Sequence, residues 1–180
     1  MPLPPKQEKF GNQAASLAAF VNYPGAPKTF WLWNDDMYAL EPITKPYPAF
    51  HLGPAAAYLA NRNPNNTWVK AVKATAEWCG TMDLPLHEAH VPLLLDTTKL
   101  RDLLDTYPTD RPFAVGATYH QTRAGDIGVN AGNAKCSGGD SLTEKLSLPM
   151  PYLSGNPESW AGTLGSYVKQ LFPEPSRWER

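Results

Sequence analysis

Proline residues are spread unevenly along this chain, and their positions limit where regular secondary structure can run without interruption. The chain has 19 prolines, and two windows, residues 65–84 and 113–148, contain none. Proline fixes φ and has no backbone N–H, so it is excluded from helix interiors and central strands. We therefore expect uninterrupted elements in these two windows and short elements joined by extended segments elsewhere.

Composition and charge predict one soluble domain. A length of 180 residues fits a single domain, and 42% hydrophobic residues with six tryptophans supply a core. The net charge of −1 argues against nucleic acid as a partner. No segment approaches the roughly 20 apolar residues of a membrane-spanning helix, and the N-terminal residues lack the apolar centre of a signal peptide. We predict a cytoplasmic protein, or one incorporated into a particle assembled there, with no membrane partner.

Helical periodicity predicts three to four amphipathic helices. Apolar residues recur at helical spacing in four segments, 13–22, 67–79, 97–107 and 157–172. Gly80 supplies a left-handed stop for the second helix, and Asn156 followed by Pro157 is typical of the start of the last one. A shorter helix is predicted over residues 54–60, with proline at its first position.

Strand periodicity is predicted around residues 113–148. Phe113, Val115, Ala117 and Tyr119 alternate with smaller or polar residues, as do Ile127, Val129 and Ala131, and residues 142–148 form a third candidate strand. Residues 29–33 form a further aromatic strand. The expected fold is α+β, a single domain over residues 11–172. A small antiparallel hairpin or meander lies at its centre, with an extended proline-rich arm at 1–10 and a tail at 173–180.

Two cysteines raise the question of nucleophilic catalysis. Cys136 follows Lys135 in a glycine-containing loop, and His120, at the end of the preceding predicted strand, could act as its base. An ordinary loop cysteine is the alternative. Cys79 falls on the apolar face of the 67–79 helix and is predicted to be a core residue.

The densest set of metal-ligand side chains is Asp83, His87, Glu88 and His90. Histidines three residues apart can share one helical face, and a carboxylate could complete a metal site. However, Pro85 and Pro92 restrict any helix here to a turn or two, so His51 or His120 would have to come from elsewhere in the fold. Surface or structural histidines are the alternative, and no cofactor is identified.

A pair of carboxylates, Asp35 and Asp36, follows the aromatic strand that contains Trp31 and Trp33. Aromatic rings beside carboxylates can form a sugar platform with an acid–base pair. Adjacent residues point apart, however, so a turn that closes the strand is the simpler interpretation.

These observations favour a non-enzymatic structural or interaction protein, a subunit of a virus particle or multi-protein complex. Its contacts would come from segments 2–10, 42–50 and 173–180, with a protein partner or another copy of the chain. One alternative is a small hydrolase or transferase using Cys136 with His120, or a metal held near His87 and His90. Another is a carbohydrate- or peptide-binding module using Trp31, Trp33 and Tyr47.

Overall fold

The computed structural model describes residues 9–108, 111–112, 114–121 and 128–174, which fold into mixed helix and strand. The described helices are α1 (Lys9–Val21), α2 (Ala55–Leu59), α3 (Thr67–Cys79), α4 (Thr97–Thr106), α5 (Val115–Gln121), α6 (Leu142–Leu146), α7 (Pro157–Ala161) and α8 (Thr163–Leu171). The described strands are β1 (Thr29–Leu32), β2 (Met37–Ala39), β3 (Phe50–His51), β4 (Leu93–Asp96), β5 (Val129–Asn130), β6 (Lys135–Cys136) and β7 (Tyr152–Gly155). The predicted α+β class is confirmed at this level.

Side-chain caps explain where the predicted helices begin. Asn66 Oδ1 accepts a hydrogen bond from the Trp68 N–H at 2.8 Å, and Gly80 ends α3 with a left-handed φ of 71°. Asp96 Oδ1 accepts from two amides at the start of α4, each at 3.0 Å. Asn156 and Ser159 form a reciprocal capping box at α7. The predicted final helix is divided at Gly162 into α7 and α8.

The described strands form three small sheets. Strand β1 pairs antiparallel with β4, and β3 pairs parallel with β5. Strand β7 lies between β2, its antiparallel partner, and β6, its parallel partner. Pairing partners such as β2 and β7 are far apart in sequence, so side-chain packing between distant segments must fix their register.

The predicted hairpin or meander around residues 113–148 is wrong. Residues Val115–Gln121 form helix α5, and Leu142–Leu146 form helix α6. Only two short strands, β5 and β6, occur in the described part of this window, and each pairs in parallel with a strand outside the window. Every residue from 114 to 120 is buried, so α5 has no polar face that would reveal a helical period in the sequence. Ser141 caps helix α6, and its hydroxyl accepts a hydrogen bond from the Glu144 N–H.

The predicted arms fall largely outside the described residues. Residues 1–8 and 175–180 are not described. Phe10, assigned by sequence to the N-terminal arm, is part of α1 and is buried against Trp68, with ring centroids 5.6 Å apart. The domain division at residues 11–172 stays a prediction.

Helix α5 lies at the centre of the core. Ala114 and Ala117 pack with Val72 and Ala76 of α3, in one apolar cluster. On another side, Val115 and Tyr119 pack with apolar residues of α1, β4 and α4. This packing fixes the N-terminus of α5, where the candidate site begins. Among the helices described here, none is long and apolar enough to span a bilayer.

Candidate functional site

A cleft of about 870 Å³ opens between α1, β2, the segment 87–93 and α7. Its aromatic lining falls into two groups, one of Phe10, Tyr58 and Trp68 and one of Tyr38 and Trp160. Its charged and titratable lining residues are Asp35, Asp36, His87, Glu88, His90 and Lys135. A concave, partly apolar cavity with a few converging polar groups is the usual form of a ligand site.

The Glu88 carboxylate is held at the start of α5. Its Oε1 accepts hydrogen bonds from the Gly116 N–H at 2.9 Å and the Ala117 N–H at 3.2 Å. Burial raises the pKa of Glu88 to about 7, and the two backbone hydrogen bonds only partly oppose that rise. A Cβ at position 116 would overlap the His87 carbonyl oxygen, so glycine permits this close approach of α5 to residues 87–88.

Three histidine rings pack together beside Glu88. The ring centroid of His87 lies 4.3 Å from that of His120 and 5.4 Å from that of His51. His87 is only 2% exposed, and burial, with lesser contributions from His120 and His51, lowers its pKa to about 3. Its Nδ1 accepts no hydrogen bond from the described residues, although the ring bonds to the Phe50 backbone. His87 is therefore neutral at ordinary pH.

Glycine and backbone contacts hold this histidine group in place. The His51 Nδ1 accepts from the Gly53 N–H at 3.0 Å, which leaves the proton of the neutral ring on Nε2. Gly128 has a φ of 73°, and a Cβ there would lie 2.8 Å from Cε1 of His87 and overlap the Ala49 carbonyl. Gly128 itself thus packs directly on His87.

A second polar group lies near Tyr38 and Trp160. Their rings stack at 5.6 Å with an interplanar angle of 11°, and Lys169 Nζ lies 5.9 Å from the centroid of Trp160. Asp36 Oδ2 pairs with Lys135 Nζ at 3.2 Å. Within the described structure, Asp36 Oδ1 and the Ser154 hydroxyl are buried and have no hydrogen-bond partner. Both atoms are out of contact with solvent, and Ser154 is not among the described residues that line the cleft, so what faces the cleft here is the partly exposed Asp36–Lys135 ion pair.

The structure brings together only part of the predicted metal site. His87 and His90 both line the cleft, and His51 and His120 reach His87 from elsewhere in the fold. Asp83 is exposed and is not among the residues that line the cleft. In the described ranges, no group of three His, Cys, Asp or Glu side chains is arranged to hold a metal ion.

The predicted pair of Cys136 and His120 is divided between two environments. Cys136 belongs to β6 and is buried with Leu153, Leu164 and Val168, and this burial raises its pKa. His120 packs on His87 instead. The two side chains therefore belong to separate groups in the core. Cys79 packs against the core, and burial raises its pKa to about 11.

A second, smaller pocket of about 220 Å³ contains two of the three predicted aromatic ligand-binding residues. Trp31 and Tyr47 line it together with His120 and Tyr152, while Trp33 packs edge-on against Tyr152 at 6.0 Å. The Tyr47 hydroxyl donates to the Glu41 carboxylate beside it. Tyr152 is buried, which raises its pKa to about 12.

The sequence singles out the segment 87–90 but does not predict that Glu88 accepts hydrogen bonds from the first amides of α5. That contact could not be foreseen, because periodicity assigned the α5 segment to a strand. Lining residues such as Tyr38, Lys135 and Trp160 come from separate parts of the chain and carry no shared motif. No protein-family model matches the chain, and neither the curated proteins nor the solved structures give a significant match, so the assignment of function rests on this geometry.

Proposed function

We propose that the protein is an enzyme that catalyses hydrolysis in the 870 Å³ cleft, with Glu88 as its general acid. The observation that carries this proposal is a carboxyl group that lines a large cleft and is anchored by two backbone amides of α5. Its pKa, raised to about 7, lets it keep a proton near neutral pH and release it to a substrate.

The proposed step balances with water as the second reactant. Glu88 gives its proton to the leaving oxygen of a substrate C–O bond as that bond breaks. Water adds to the carbon atom, and the proton that water loses restores Glu88 to its acid form. The Gly116 and Ala117 amides stabilise the transient carboxylate through Oε1, so Oε2 is the oxygen that can face the substrate.

The neighbouring groups divide the acid–base roles. Glu88, with a pKa of about 7, holds a proton at mildly acidic pH. His87 beside it has a pKa of about 3 and is therefore neutral at the same pH. Asp36, which also lines the cleft, is paired with Lys135. Titratable groups whose environments separate their pKa values are typical of acid–base catalytic sites.

The test is a hydrolysis assay with a panel of chromogenic glycosides and esters, using wild-type protein and the Glu88→Gln variant. The glutamine side chain keeps the acceptor for both amides but has no proton to give, so we expect a loss of at least about 100-fold in kcat. The matched control is Glu77→Gln, on the exposed face of α3, which should leave the rate unchanged. The wild-type rate should fall as pH rises through about 7. Hydrolysis that persists in the Glu88→Gln variant contradicts the assignment.

A second candidate is the assembly role predicted from the sequence. Exposed aromatic residues support it: Tyr23 is 64% exposed, and Phe20 beside it contacts Phe30 with centroids 4.6 Å apart. Phe172, near the start of the predicted tail, is also exposed. An exposed aromatic surface of this kind is typical of sites that contact another protein.

The assembly role is tested by native mass. A multiple of 19.8 kDa that reverts to the monomer in a Phe20→Ser/Tyr23→Ser double variant would support it. A wild-type protein that is monomeric at all accessible concentrations would count against self-assembly.

A further inference from the structure

We propose that the ligand of the cleft is an oligosaccharide, one ring of which binds against Tyr38, Trp160 and Asp36. This inference rests on the proposed function, because it names the substrate class of the same cleft. Its basis is the aromatic wall, the partly exposed polar side chains and the charge balance of the lining.

The aromatic wall suits the apolar face of a sugar ring. Tyr38 and Trp160 are stacked and both line the cleft, and Trp160 is 40% exposed although it belongs to a helix packed on the protein. Pyranose rings carry C–H groups on one face, and such faces pack on aromatic side chains. The other aromatic group, with Trp68 and Tyr58, lines the same cleft and offers a place for another ring.

The polar side chains of the lining suit hydroxyl groups. Lys135 donates to Asp36 Oδ2, and both side chains line the cleft and are partly exposed, at 31% and 28%. Asp35 and Asn156 also line the cleft and add a carboxylate and an amide. A sugar hydroxyl both donates and accepts, so it can pair with a carboxylate and with a lysine or amide in the same site.

The charge balance favours a neutral ligand. Among the described lining residues, three carboxyl groups (Asp35, Asp36 and Glu88) face a single lysine, which disfavours phosphate and other anions. A basic peptide is the rival ligand. However, Lys135 already pairs with Asp36 at 3.2 Å, so beside the aromatic wall only the Asp35 carboxylate remains to attract a cationic side chain. Neutral polyhydroxyl ligands therefore match the lining better than cations or anions.

The test measures binding to the full chain by tryptophan fluorescence and calorimetry. The probes are chitotetraose, cellotetraose and xylotetraose, with a lysine-rich tetrapeptide and inorganic phosphate for comparison. We expect one tetrasaccharide to bind wild-type protein and to bind Trp160→Ala and Asp36→Asn about tenfold more weakly, the cost of one lost contact. Leu146→Ala, an exposed apolar residue that does not line the cleft, is the matched control and should bind normally.

The Glu88→Gln variant separates this inference from the proposed function. It should bind the tetrasaccharide within about threefold of wild type but not hydrolyse it. Wild-type protein that binds a tetrasaccharide through Trp160 without hydrolysing it supports the ligand class and contradicts the proposed function. Binding of only the peptide or phosphate, or no binding by any tetrasaccharide, overturns the ligand class. Binding that Trp160→Ala and Asp36→Asn both leave unchanged overturns the position of the ring.

Discussion

Replacing Glu88 by glutamine should change how the stability of the protein depends on pH. The carboxyl pKa is 4.5 when exposed and about 7 in the folded protein, so between these values the folded state holds a proton that the unfolded state has lost. The contribution of Glu88 to stability is therefore greatest below pH 4.5, falls as pH rises through 7, and stays lower above it. The difference amounts to about 3 kcal/mol, since each pH unit in this interval corresponds to about 1.4 kcal/mol.

Glutamine at position 88 removes this slope while keeping the acceptor for the Gly116 and Ala117 amides. The stability of the variant relative to wild type should rise by about 3 kcal/mol between pH 4 and pH 8, or about 6–12 °C in Tm for a chain of this size. The assay is thermal and urea denaturation of both proteins at half-unit pH steps, with Glu77→Gln as the exposed control. A stability difference that stays constant with pH would refute the burial of an ionisable Glu88.

Three further predictions concern packing, capping and the thiols. Gly116→Ala should cost more than about 3 kcal/mol in unfolding free energy, because the added Cβ overlaps the His87 carbonyl. The control is Gly139→Ala, in which the added Cβ would meet nothing within 4 Å. Equal effects of the two substitutions would contradict the packing of α5. Asn66→Ala should cost about 1 kcal/mol in urea denaturation through loss of the α3 cap, and Asn65→Ala, which leaves that cap in place, should cost much less. Cys79 and Cys136 should both resist a thiol reagent at pH 7.5 in the folded protein and react in urea, because burial raises both pKa values; rapid labelling of native Cys136 would count against its place in the core.

The helices with local signals can be predicted from the sequence. Helix α3 is predicted over residues 67–79, because its polar and apolar faces differ and Gly80 ends it. Helix α5 cannot be predicted in this way. It is buried on all sides over residues 115–120, and its first amides are satisfied by Glu88, a residue 28 positions earlier in the chain. A helix stabilised by tertiary contacts leaves little periodic pattern in its own sequence.

The candidate site is only partly accessible to sequence reasoning for the same reason. His87, Glu88 and His90 stand out as a local cluster, but the rings that pack on His87 come from residues 51 and 120. The Asp36–Lys135 ion pair joins residues 99 positions apart and forms only when β2 and β6 lie on either side of β7. Helix α6 does have a local signal, because Ser141 with Glu144 three residues later is typical of a helix start, and the strand assigned to residues 142–148 disregards it.

The cleft forms only when segments far apart in the sequence, such as β2 and β7, have come together. The cleft takes its walls from α1 near one end of the described chain and from α7 near the other, so no fragment of the chain holds a complete site. Ligand occupancy is therefore thermodynamically linked to folding of the whole molecule. A ligand at 100 times its Kd should add about 2.7 kcal/mol to the unfolding free energy. A thermal-shift screen can thus identify compounds that occupy the cleft without any assumption about the reaction.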